Sequence, residues 1–146
     1  MSASRILVDD HLLLQLLLGR EPAELRPAGS TVATTGLWYH RLCRALSSAT
    51  VTGSMSRQLG QVDPALAAAA VHAVVEMPEA IDLVSLRSLG WPMAMLLSGG
   101  ERLNLLSLEA LAAAIELGAD IYLAQSDDNA PLREAATRHG VVVRTL

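Results

Sequence analysis

The chain contains no phenylalanine, no lysine and one cysteine, Cys43. A single thiol excludes an intramolecular disulfide and a zinc site built from cysteines. Cys43 lies in Arg41-Leu42-Cys43-Arg44 and reads as a small core residue on a helix. His40 nearby is weak support for a thiol nucleophile. Long apolar runs are missing too. Leu12–Leu14 and Leu16–Leu18 are split by Gln15 and followed by Gly19-Arg20, far short of the roughly 20 residues that span a bilayer. Arg5 precedes a short apolar stretch, but Asp9 and Asp10 break it before any cleavage-like site, so no signal peptide is expected. The expected location is cytoplasmic, with no membrane partner. Aromatics are few, two Trp and two Tyr, and all 11 basic residues are Arg. Leu, Ala and Val must build the core, and the two biases together suggest a GC-rich bacterial genome. A net charge of −4 makes the chain a poor general binder of nucleic acid, because such binding rests on neutralising phosphates. A local basic patch remains open.

With 146 residues, one domain is expected over residues 1–146. Arg5-Ile6-Leu7-Val8 reads as a buried strand. Asp10 then opens a helix, His11 to Leu18, closed by Gly19. It is apolar nearly all round and so must be buried or covered by a partner. Residues 20–30 hold two Pro and a Gly and read as loop. Leu37–Leu46 has helical periodicity, and Ser47–Gln61, rich in Ser, Thr and Gly, reads as a surface loop. Asp63-Pro64 opens a helix through Val75. Ile81–Leu86 is a candidate strand and Trp91–Leu97 a short helix before Gly99-Gly100. Ser107 is expected to cap Leu108–Leu117, which Gly118 ends. Ile121–Ala124 reads as a strand, Ser126–Asn129 as a polar turn, Pro131–His139 as a helix and Val141–Val143 as a final strand. This order predicts an α/β fold with a mostly parallel sheet.

In a parallel sheet, functional residues collect beyond the carboxyl ends of the strands. Two strands here run into acids: Val8 into Asp9-Asp10, and Ala124 towards Asp127-Asp128. If those strands are neighbours, up to four carboxylates share one edge. Hard cations such as Mg²⁺ or Mn²⁺ stabilise such oxygen clusters, and a metal pair there can activate water and hold a phosphodiester. The plain alternative stands beside this. Asp before a helix is an ordinary N-cap, and Asp127-Asp128 is ordinary turn chemistry.

Two stretches carry a resemblance. Ile6-Leu7-Val8-Asp9, followed by a Leu-rich helix, is similar to the opening strand and first acid of PIN domains. Ser107 through Leu117-Gly118-Ala119-Asp120 to Asp127-Asp128, followed by Gly140-Val141-Val142-Val143, resembles the family's C-terminal half. The likeness covers roughly the first 20 and last 45 residues. It implies a three-layer sandwich, and a metal-dependent ribonuclease of toxin–antitoxin type with Mg²⁺ or Mn²⁺. It also implies a homodimer, and RNA or an antitoxin as partners. Carried over residue by residue, the first family acid falls on Asp9. The second falls near Tyr39, His40 and Arg41, where no carboxylate stands and an Arg would repel a cation. The third falls on Ser107, with Glu109 two residues on. The fourth falls on Ser126, with Asp127 and Asp128 just after it.

The resulting expectation is a degenerate acidic site. Asp9 and Asp128 are the catalytic candidates. Asp9, Asp127, Asp128 and Glu109 are the candidate ligands of a weakly held metal. Arg41, Arg44, Ser107 and Ser126 are candidate binding residues. The chain then acts through protein or nucleic-acid binding, with a metal-dependent ribonuclease as the alternative. A nucleotide-binding α/β module is a further alternative, although neither Gly-x-Gly-x-x-Gly nor a Walker loop is present. His11 lies beside the acids. His72 reads as a packed or surface side chain, and His139 suits a helix C-terminus. Trp38 and Tyr39 read as core anchors.

Overall fold

The computed structural model describes residues 4–27, 29–47 and 54–146, without the side chains of Ser54 and Ser56. β1 (Arg5–Val8) is the middle strand of a five-stranded, all-parallel sheet. Ile6, Leu7 and Val8 are all buried, as an unbroken apolar run in a strand covered on both faces requires. α1 (Asp10–Leu17) follows, then β2 (Thr31–Thr35), α2 (Gly36–Ser47), α3 (Ser54–Gly60) and α4 (Pro64–Val75). β3 (Ile81–Val84), α5 (Leu86–Ser98), α6 (Leu105–Leu117), β4 (Asp120–Leu123), α7 (Ala130–Arg138) and β5 (Val143–Thr145) complete the order. The strands lie in the order β3-β2-β1-β4-β5.

Helices cover both faces of the sheet, in three layers. Ile6 and Val8 point to one side, where they pack with Leu12, Leu13 and Leu14 of α1, Leu42 of α2 and Val74 of α4. Leu7 points to the other, towards Leu89 and Met93 of α5, Leu111 of α6 and Ala135 of α7. The period-2 alternation of a strand sets this division. α1 is apolar all round because its own chain covers it. Leu12, Leu13, Leu14 and Leu18 are buried, and Leu16 and Leu17 are half-buried against the same cluster. Among the described residues, no helix is long and apolar enough to cross a membrane.

The expected elements are present, with corrections. The strand β2 was not anticipated. Its sequence, TVATT, looks polar, yet Thr34 and Thr35 are fully buried. The Thr34 hydroxyl donates to the Val8 carbonyl at 2.9 Å, and the Thr35 hydroxyl accepts from the Trp38 amide at 3.2 Å. Ser47–Gln61 is not all loop, because α3 occupies Ser54–Gly60; residues 48–53 lie outside the described ones. Asp9, not Asp10, caps α1. Asn104, not Ser107, caps α6. Ser85 caps α5, so the third strand stops at Val84, and the helix expected from Trp91 begins at Leu86. The last strand is shifted to Val143–Thr145, because the Val141 amide bonds back to Ala136 at the end of α7. β4 ends at Leu123, since the Ala124 amide turns to the Asp9 carboxylate.

Candidate functional site

All five strands end at one edge, and the chain reverses its direction of travel across the sheet at β1. It first winds out through β2 and β3, then returns to place β4 on the other side of β1. Ligand crevices in open α/β sheets form at such a switch point. Asp9 follows β1 there, and Asp127 follows β4, on a short 3₁₀ turn at Gln125–Asp127.

Asp9 is fully buried. One carboxylate oxygen accepts from the Leu12 amide at 2.8 Å, the other from the Ala124 amide at 2.9 Å. The residue therefore caps α1 and ties it to the end of β4. Burial pushes its pKa up to about 8, with a hydrogen bond to Asp127 adding to the rise and the two amides opposing it.

Asp10 is also fully buried, and Arg41 of α2 holds it. The guanidinium Nε donates to Asp10 Oδ2, and Nη2 donates to Asp10 Oδ1 at 2.6 Å and to Asp127 Oδ2 at 2.5 Å. His11 Nδ1 lies 3.2 Å from Asp10 Oδ1 and 3.0 Å from Asp127 Oδ2. The two carboxylates raise the His11 pKa to about 10, against burial. They also raise that of Arg41, chiefly through its hydrogen bonds to Asp10. Asp127 is burdened by desolvation, but His11, Asp9 and Arg41 outweigh it and hold its pKa below the usual carboxylate range.

Asp9, Asp10, His11 and Asp127 each offer a ligand atom within 4.8 Å of the others, so the cluster could hold a metal ion. As arranged, however, the cation across the Asp10 and Asp127 oxygens is Arg41, and both Asp9 oxygens accept backbone amides. Mg²⁺ or Mn²⁺ does not fit beside that guanidinium. It would have to displace Arg41, leaving the guanidinium without its carboxylate partners.

The other expected site residues lie outside this cluster. Asp128 is exposed and pairs with Arg133 at 2.8 Å. Glu109 is buried, and its Oε1 accepts from the Leu37 amide at 2.8 Å, so it caps the start of α2 from a neighbouring helix. Arg44 is exposed and makes no ion pair with the cluster's acids among the described residues. Trp38 is a buried anchor, and the Tyr39 hydroxyl donates to the Val74 carbonyl at 2.8 Å. Cys43 is half-buried in the α1–α4 cluster. His72 is exposed beside Glu76, and His139 lies 3.1 Å from Glu101.

Ser107 and Ser126 meet Arg41 and Asp127 in a cleft of about 370 Å³, which Arg102, Asn104 and Asn129 also line. Sequence reasoning missed Asp10 as an ion-pair partner, and missed Arg102 and Asn104 altogether. Asn104 did carry a signal, since Asn just before an apolar periodic run is a normal N-cap.

The chain matches no protein-family model and no curated protein.

Proposed function

We propose that the chain is a PIN-like domain whose acidic corner is closed by its own arginine, and that it works by binding a protein or nucleic acid. The observation that carries this is Arg41 on Asp10 and Asp127. A divalent cation serves such a corner by neutralising clustered carboxylates. Here Arg41 and His11 already do so, and they leave no electrostatic need for the metal. Thermal unfolding with millimolar Mg²⁺ or Mn²⁺ tests this. The midpoint is expected to stay where it is in EDTA, and a metal-dependent rise would sink the reading.

A second reading, a metal-dependent ribonuclease of toxin–antitoxin type, is favoured by one observation, the four ligand atoms within 4.8 Å. It requires Mg²⁺ or Mn²⁺ to displace Arg41. RNA cleavage that needs the metal and disappears in Asp127→Asn would establish it.

Self-association belongs to the same proposal, but through a different face from the one expected. α1 is covered, whereas α5 exposes Leu86, Trp91, Met95 and Leu97. Trp91 and Met95 stand four residues apart on one side of the helix, and exposed apolar side chains so placed mark interaction sites.

A further inference from the structure

Ser107 sits in the first turn of α6 and is only 5% exposed. Its amide is used, donating to the Asn104 side chain at 2.8 Å. Its hydroxyl forms no hydrogen bond among the described residues, although it belongs to the wall of the 370 Å³ cleft. No buried side-chain polar atom lacks a partner among the described residues, so this oxygen is open to the cleft, where a ligand can bond it.

What surrounds it selects the sign of that partner. The N-terminus of α6, a helix of 13 residues, opens at Asn104 into this cleft. Asn104 caps only the Ser107 amide, so the amides of Leu105 and Leu106 have no carbonyl one turn earlier in the helix to bond. The N-terminus of α7 reaches the same cleft through Asn129 and Pro131. Both ends present partial positive charge. Arg102 stands on the rim. It is exposed, donates only to the Glu101 carbonyl, and makes no ion pair among the described residues. The acids on the wall do not cancel this. Asp127 is held by Arg41, and Asp128 by Arg133. Apart from Ser126, the remaining lining is apolar: Trp38, Leu103, Leu106, Leu123 and Leu132.

We infer that this cleft binds a small organic phosphate of nucleotide size, with the phosphate at Ser107, the first turn of α6 and Arg102. The volume suits a small-molecule site, which typically spans roughly 300–1,000 Å³. The apolar lining suits a base or similar flat group. A phosphate supplies three acceptor oxygens, for the hydroxyl, the free amides and the guanidinium. No divalent metal is needed, because the fixed donors do the neutralising. This inference deepens the binding role proposed above and rests on the corner being closed by Arg41.

Calorimetric titration of the full chain in EDTA tests it, with adenosine 5′-monophosphate, adenosine, inorganic phosphate, and a short oligonucleotide with and without a 5′-phosphate. The monophosphate is expected to bind and adenosine not. Ser107→Ala and Arg102→Gln should each weaken binding roughly tenfold to a hundredfold, the worth of one hydrogen bond to a charged group. Arg102 is on the surface, so its variant folds even if Ser107→Ala does not. Preference for the phosphorylated oligonucleotide over the mononucleotide assigns the phosphate to a nucleic-acid end; the reverse assigns it to a free nucleotide. Equal binding of adenosine and its monophosphate overturns the inference, as does binding that neither variant weakens. No binding in EDTA, with no Mg²⁺ stabilisation, overturns this inference alone. Binding that appears only with Mg²⁺, together with Mg²⁺ stabilisation, overturns the closed corner as well.

Discussion

Arg41 Nη2 lies 2.5 Å from Asp127 Oδ2, joining residues 86 positions apart in the chain. The same nitrogen bonds Asp10. One guanidinium therefore locks the start of α1, the middle of α2 and the turn after β4 together. A planar fork with five donors is suited to such bridging, and a lysine would not replace it.

Removing the fork leaves Asp10 buried and without its main partner. Arg41→Ala is expected to lower stability by about 3 kcal/mol in EDTA, the usual scale for breaking a buried pair. With the guanidinium gone, the corner regains the charge that a divalent cation neutralises. Mg²⁺ should then recover part of the loss in the variant and do nothing to the parent. Denaturant unfolding of both proteins, with and without the metal, reads this directly. If Mg²⁺ acts equally on the two, Arg41 is not what closes the corner.

Asp9→Asn is the obvious substitution to probe a metal ligand, but here it changes more than charge. Both Asp9 oxygens accept amides, from Leu12 and Ala124. An asparagine NH₂ must face one of those amides, donor against donor. A loss of about 1–3 kcal/mol is expected, the cost of one buried donor left unpaired, whether or not metal is present. Asp128→Asn, at an exposed position, should leave stability within about 0.5 kcal/mol. Thermal melts of the two variants side by side check the contrast. Equal stability of Asp9→Asn and the parent would remove the capping role.

The corner also sets a pH dependence. The folded pKa of His11 is raised from 6.5 to about 10. Its contribution is complete below 6.5 and is lost as pH rises towards 10. The folded pKa of Asp9 is raised from 3.8 to about 8. The fold favours its protonated form, so stability again falls as pH rises through that window. Asp127 is shifted down, and its contribution is lost in acid, as pH falls below the ordinary carboxylate range. Stability should peak near about pH 4 and decline from there to about pH 10, first through Asp9 and then through His11. His11→Asn should flatten the upper part of that decline. A parent chain more stable at pH 9.5 than at 6 would contradict the assignment.

Trp91 is 76% exposed and Met95 53%, an unusual placement in a chain with so few large side chains. If α5 is the self-association face, sedimentation should give a dimer for the parent and a monomer for Trp91→Glu. The monomer's thermal midpoint at low concentration should match that of the parent. A parent that stays monomeric at high micromolar concentration rules the face out.

The sequence was most informative where one element reads without its neighbours. Ile6-Leu7-Val8 and Ile121-Tyr122-Leu123 are apolar runs that end at polar turns, and both are strands at the middle of the sheet. β2 escaped notice because three of its five residues are threonines. The hydroxyls of the two buried ones, Thr34 and Thr35, are satisfied by partners on β1 and α2, contacts that exist only after folding. The same holds for the site. Asp9 and Asp127 stood out as acids after strands, and the absence of a carboxylate near Arg41 was visible. That Arg41 turns inward and fills the gap depends on how α2 packs against α1, which brings it to Asp10. Glu109 was read as a possible ligand because it is acidic and near Ser107. Its role as a cap for α2 depends on a residue 72 positions away.

The pairing of β1 with β4 has a consequence for synthesis. Ile6 lies against Asp120 and Leu7 against Ile121, so the first strand made waits for one made more than a hundred residues later. At roughly 5–20 residues per second, that wait is on the order of ten seconds. Throughout it, Asp9 lacks the Ala124 amide, and Asp10 and Arg41 lack Asp127. On the ribosome the nascent N-terminal half holds an exposed strand edge and a half-built charged corner, a state that a chaperone can recognise and that the finished chain never displays.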